Sequence, residues 1–177
     1  MTTWHRFDWP DRCVTGTIGA PGERTFYLQA KDGRRVISVA FEKQQSAALA
    51  DGVEAVLDQV MGEPGNPHHV PASAPAGLRD DDPLEQPVFA QFRAGTMNLG
   101  WDPSTAQVVI QVFPWLPPPE GDDPLEVEAP EVLEVRLQVG GARAFVAQAR
   151  EVVDAGRPLC HRCGEPVDPG GHSCPLA

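Results

Sequence analysis

The sequence predicts an α+β chain in which two pseudo-repeated β-β-β-α units form one antiparallel-sheet core with two helices, plus a small C-terminal zinc knuckle. Three observations carry this expectation. Apolar residues alternate with period two in short runs and then switch to a helical period. The run RCVTGTIG followed by FYLQA and VISV returns, degenerate but in order, as FRAGTMNLG, VVIQV and VLEV. The last eighteen residues gather three cysteines and a histidine with nothing between them that could build a core.

In the first unit, about residues 12–60, Cys13 and Val14 sit in an apolar strand that a Gly19-Ala20-Pro21-Gly22 turn closes. Phe26, Leu28 and Ala30 then alternate with Thr25, Tyr27 and Gln29, and Ile37, Val39 and Phe41 alternate with Ser38 and Ala40. An Asp32-Gly33 pair between these strands is a hairpin signal. Leu49, Val53, Val56, Leu57 and Val60 follow at spacings that place one apolar stripe on a helix. The second unit, about residues 88–155, repeats the pattern with Val108, Ile110 and Val112, then Leu133, Val135 and Leu137. Its helical stripe is Ala142, Phe145, Val146, Ala149, Val152 and Val153.

Gly16-Thr17 matches Gly95-Thr96, Gln29 matches Gln111, and Val36 matches Val132 in this alignment, which suggests a duplicated unit. Neither three-stranded sheet covers its apolar face alone. Two units pairing across a pseudo-twofold, with both helices on that face, would bury both stripes in one domain spanning 1–157. The linker 61–87 is rich in Pro, Gly, Ala and Asp without apolar periodicity and is expected to be mobile in its middle. A second irregular insert, from Phe113 to Pro130, splits the second unit.

At 177 residues and a formal charge of −11, the chain has room for one principal core and an appendage. The acidity is concentrated in residues 44–136, where three Lys/Arg face sixteen Asp/Glu. Such a field disfavours nucleic acid and anionic membranes as partners, although salt limits its reach. The N-terminal MTTWHRFDWPDR lacks the apolar core of a signal peptide, and no run approaches a membrane span. A cytoplasmic location is therefore expected, and a reducing compartment favours metal over disulfides for the 158–177 tail.

In that tail, Cys160 and Cys163 form C-x-x-C-G, the spacing at which a tight turn presents two thiolates to one ion. A Pro169-Gly170-Gly171 reversal returns His172 and Cys174, completing a tetrahedral Zn2+ shell of Cys160, Cys163, His172 and Cys174. His172 is the favoured fourth ligand, with His161 and Asp168 as alternatives. Four ligands close the shell and leave no position for a catalytic water, so the ion is read as structural. A redox role is disfavoured because the motif follows a helix and lies outside a thioredoxin-like unit.

Trp115 and Leu116, beside the prolines of the insert, form an apolar element that either packs back on its own domain or docks a partner. Arg24, Arg34 and Arg35 sit near strand ends, as a solvated rim or as an anion-binding edge. With Lys31 and with Tyr27 as a stacking platform, they would serve a single-strand nucleic-acid binder. Asp8, Trp9, Asp11 and Arg12 could equally make a buried salt-bridged edge that fixes the first strand. His68 and His69 are a solvated pair in the linker, and Cys13 is a small core hydrophobe.

FDWPDRCVTGTIGAPGERTFYLQAKDGRRVISVAFEKQQ, FRAGTMNLGWDP and the terminal CHRCGEPVDPGGHSCP together resemble an actinobacterial family of uncharacterised proteins, domain of unknown function 3090. The resemblance implies a cytoplasmic bacterial protein and supplies no activity. At the level of topology alone, the strand-strand-strand-helix repeats are similar to duplicated single-strand nucleic-acid binders of the PUR and Whirly type. The expected function is a non-enzymatic zinc-binding adaptor or regulatory protein with a protein partner. A single-stranded nucleic-acid binder and a zinc-dependent hydrolase are the alternatives.

Overall fold

The computed structural model describes residues 1–20, 22–118, 128–156, 159–167 and 170–176. Seven strands, β1 (Thr3–Asp8), β2 (Arg12–Ile18), β3 (Thr25–Asp32), β4 (Arg35–Phe41), β5 (Ala90–Asp102), β6 (Gln107–Pro114) and β7 (Glu131–Gln138), form one sheet in the order β1-β7-β6-β5-β4-β3-β2. Two helices, α1 (Lys43–Met61) and α2 (Val139–Asp154), follow the three-strand runs β2–β4 and β5–β7, with β1 preceding the first run. Among the described residues, no helix is long and apolar enough to cross a membrane.

The sheet is mixed, which corrects the antiparallel expectation. β1 pairs parallel to β7, and β4 pairs parallel to β5. β1 was not expected as a strand of the sheet, because WHRFD alternates only briefly. The β4–β5 pairing is parallel because α1 and the strap after it carry the chain back alongside β4, where β5 begins with Ala90 opposite Ser38. The two three-strand runs therefore meet through unlike strands, whereas a twofold axis between them would pair equivalent strands antiparallel.

This order has a geometric consequence. β1 and β2 are joined by a turn of only Trp9–Asp11, in which Trp9 takes a left-handed φ of 56°, yet they occupy opposite ends of the sheet. From Asp8 to Arg12 the chain reaches at most about 14 Å, whereas six flat strand intervals would span about 29 Å. The sheet must curl until its two edges approach. The contacts at the seam agree: the Arg35 guanidinium lies 4.0 Å over the Phe7 ring and donates to the Arg6 carbonyl, and the Gly33 N–H donates to the Asp11 carboxylate at 2.7 Å. Phe7, on an edge strand, is only 1% exposed.

One sheet face holds Phe7, Leu28, Val39, Ile110 and Val135 and packs on both helices in a single core. α1 contributes Leu49, Val53, Leu57 and Val60, the expected stripe with Val56 at its margin, and α2 contributes Ala142, Phe145, Val146 and Ala149. At roughly 25 cal/mol per Å² of apolar area, this shared burial is the main stabilising term. α2 also closes the free edge of β2. The Gln148 amide accepts from the Thr15 N–H at 3.0 Å and donates to the Thr15 carbonyl at 2.6 Å, replacing a neighbouring strand's peptide group. An edge strand left bare is a template for aggregation, and here one buried side chain blocks it.

The 61–87 linker, expected to be mobile, lies along the body as a strap. Arg12 holds it by donating to both Asp80 carboxylate oxygens, at 2.5 and 2.9 Å, and to the carbonyls of Asp82 and Pro83. Gln29 repeats the peptide mimicry of Gln148, accepting from the Glu85 N–H at 2.8 Å and donating to its carbonyl at 3.2 Å. Leu84 is buried over Gly16, where a Cβ would stand 2.4 Å from it. Arg143, itself buried, donates to the Pro71 carbonyl at 2.7 Å. The strap carries no apolar period because side chains of the body bind its backbone.

Replacing Gln148 with Leu keeps the volume near Thr15 and strands a buried N–H and C=O, so urea unfolding should show a loss of about 2–4 kcal/mol. A near-neutral result would mean that the β2 edge does not depend on this glutamine.

Candidate functional site

The tail folds around its cysteines. The Cys160 N–H donates to the Glu165 carbonyl at 2.8 Å and the Gly164 N–H to the Cys160 carbonyl at 2.9 Å, while Leu159 and Pro166 form an antiparallel bridge. Gly164 takes a left-handed φ of 75°, which the turn after C-x-x-C requires and glycine adopts without strain. This small hairpin points both sulfurs toward the returning segment.

Cys160, Cys163, His172 and Cys174 then lie with their ligand atoms within 4.8 Å of one another, so the four could hold a metal ion. Cys160 Sγ is 3.9 Å from Cys174 Sγ, and Cys163 Sγ is 3.2 Å from His172 Nε2. A disulfide would require about 2.05 Å, whereas a tetrahedral shell with metal–sulfur bonds of about 2.3 Å has edges of about 3.8 Å. Backbone N–H groups of Cys163 and Arg162 hold the Cys160 thiol below its ordinary pKa. At Cys163 the backbone N–H of Glu165 acts in the same direction, but burial and the neighbouring sulfurs outweigh it and push the thiol up. A cation would relieve that crowding of charge. His161 is exposed and outside the cluster; Asp168 lies outside the described residues.

Trp115 is 58% exposed although its backbone is fixed. Its N–H donates to the Arg93 carbonyl at 2.8 Å, and Gln45 of α1 donates to the carbonyls of Ala94 and Gly95 at 3.0 and 3.2 Å. A Cβ at Gly95 would stand 2.8 Å from the Trp115 Cα, so only glycine admits this approach. Trp115, Leu116, Phe113, Thr96, Asn98 and Ala129 border an open cleft of about 610 Å³. Residues 119–127 of the insert lie outside the described residues.

The other candidates are dispersed. Arg24 stacks on Phe26 at 5.3 Å at one end of β3, while Arg34 and Arg35 flank the turn at its other end. Lys31 pairs with Glu85 at 2.8 Å, and Tyr27 is half-buried beneath no cation of this set. His68 is not freely solvated: its ring meets Trp101 edge-on at 5.1 Å, while His69 is exposed. Cys13 packs against the core, and burial pushes its thiol up to about 12.

Sequence reasoning missed a polar lattice on the sheet's second face. Glu134, only 8% exposed, accepts from Gln111 at 2.8 Å and pairs with Arg6 and Arg136, and Arg136 continues to Asp102 at 2.8 Å. The Ser104 hydroxyl first, and Arg136 next, hold the Asp102 carboxyl well below the usual carboxylate range. The signal was present in VLEVRL, where Glu134 and Arg136 alternate with the core residues.

The chain matches a family profile over residues 5–174, with both the curled sheet and the Cys/His tail inside the match. It belongs to the DUF3090 family, proteins of unknown function. No curated protein and no solved structure matches it.

If the cluster binds an ion, elemental analysis of purified protein should find about one metal per chain. Cys160→Ser should release it and broaden the tail's resonances while those of the sheet persist. A metal-free protein with an ordered tail would refute the site.

Proposed function

We propose that this DUF3090 protein is a non-enzymatic, zinc-stapled adaptor that acts in the cytoplasm through contacts with a partner protein. The observation that carries the reading is the closed Cys160, Cys163, His172 and Cys174 cluster, set apart from the exposed, rigidly supported Trp115. Three sulfurs and one imidazole suit zinc, and four protein ligands leave no open position for water activation. That argues for a staple and against a zinc-dependent hydrolase. An exposed tryptophan with its backbone held at Arg93 meets a partner with little ordering cost, the condition under which aromatic anchors dominate an interface.

The single-strand nucleic-acid reading is less well supported. Arg24 and Arg34 are separated by the length of β3, Lys31 is neutralised by Glu85, and Arg35 is engaged with Phe7. We also propose that the two strand-strand-strand-helix runs descend from one duplicated unit. Support comes from the matched glutamines: Gln29 donates across the β3–β4 pair to Ser38 at 3.0 Å, and Gln111 donates across the β6–β7 pair to Glu134 at 2.8 Å.

The adaptor reading predicts a complex that survives high salt and is lost in Trp115→Ala, with a Tm close to that of the parent; affinity purification with mass spectrometry compares the two. Equal recovery with both proteins would contradict it, and a large fall in Tm would place Trp115 in the fold. Bound metal should be zinc, released as pH falls because protons compete for the thiolates and imidazole.

A further inference from the structure

Arg24, on the approach to β3, and Lys43, the first residue of α1, come from separate parts of the chain and converge on Gly156, just after α2. A Cβ at Gly156 would lie 3.4 Å from Lys43 Nζ and 3.8 Å from Arg24 Nη2, so the two cationic heads flank one notch. Neither makes an ion pair with a described residue. Asp154 borders a hollow with Lys43 and Glu42 borders one with Arg24, yet neither acid pairs with either cation, so the two like charges repel each other.

The notch is a cavity of about 230 Å³ bordered by Gly22, Arg24, Phe26, Lys43 and Gly156. Arg24 also borders the next hollow with Arg93 and Glu42, which pair with each other, and Lys43 borders a third with Leu159 and Pro166 of the tail. The Arg24 guanidinium is held in place over the Phe26 ring at 5.3 Å. A planar fork and an ammonium on either side of a small hollow match the tetrahedral oxygens of a phosphate.

We propose that Arg24, Lys43 and the space over Gly156 form an anion site for a small phosphorylated molecule. A polymer is disfavoured because the basic groove is short and the surrounding charge repels a polyanion. The proposal is independent of the adaptor reading, since neither Trp115 nor the metal ligands border the notch. A purely structural alternative exists: both cations face the carboxyl end of α2, where positive charge is favourable.

The test uses the full metal-loaded chain at low ionic strength, titrated with inorganic phosphate and followed by amide chemical shifts. Saturable shifts at Gly22, Arg24, Lys43 and Gly156 in the millimolar range are expected, absent with chloride at matched ionic strength. Arg24→Gln with Lys43→Gln should weaken binding about tenfold or more, as loss of charge-assisted contacts implies. Gly156→Ala, which keeps both charges and fills the notch, should weaken it also. Phosphoserine should bind at least as well as phosphate, whereas an oligothymidylate should not. The proposal is overturned if phosphate gives no saturable shifts, if the double variant binds equally, if only the oligonucleotide binds, or if the variants lower Tm with no phosphate response in the parent.

Discussion

The architecture depends on one covalent constraint: a three-residue turn connects strands that lie at opposite ends of a seven-strand order. Peptide reach forbids a flat sheet under that condition. Curling buries Phe7 on an edge strand, brings Arg35 over its ring, and forms a concave face that two amphipathic helices share. The strap and the β2 edge are held differently, by the Gln29 and Gln148 amides and by Arg12 and Arg143, which bind backbone groups directly. Gln148 takes the place of a strand's peptide group at Thr15 on the β2 edge, and Gln29 does the same for the strap at Glu85.

The tail follows another logic. It has too few apolar residues to bury a core, and its order comes from a short hairpin whose N–H groups face sulfur and carbonyl oxygen. An ion held by Cys160, Cys163, His172 and Cys174 would couple its binding to local folding of this tail. A body stabilised by apolar burial and an appendage that ligation would stabilise can fail separately, and a mutation in either should leave the other measurable.

Much of this was legible in the residues. Alternation located β3, β4, β6 and β7, and helical spacing marked the buried faces of α1 and α2, because one-sided burial leaves a period in the sequence. The four clustered ligands were likewise visible from spacing, since a metal needs its donors close in space and a short tail brings them close in sequence. β1 was missed because its six residues alternate only briefly and its partner, β7, lies over a hundred residues away. Local composition predicts mobility in the middle of the strap because its anchors, Arg12, Gln29 and Arg143, belong to other segments. Nothing local to Arg24, Lys43 or Gly156 announces that they meet. Long-range placement by topology leaves no periodic trace.

Membership of the DUF3090 family joins the sheet and the tail in one unit of description, and the chemistry of the surface has to supply the rest. The exposed Trp115 and the Arg24 and Lys43 heads over a small hollow are the features on which the two binding proposals rest. The curled sheet brings these regions into their present relation, so its closure is the claim on which the account stands. Nuclear Overhauser contacts between the Phe7 ring protons and the Arg35 side chain test it most directly. Strong cross-peaks are predicted, together with contacts from the Gln148 side-chain amide to the Thr15 N–H; their absence in a well-dispersed spectrum would mean an open sheet and would contradict the fold described.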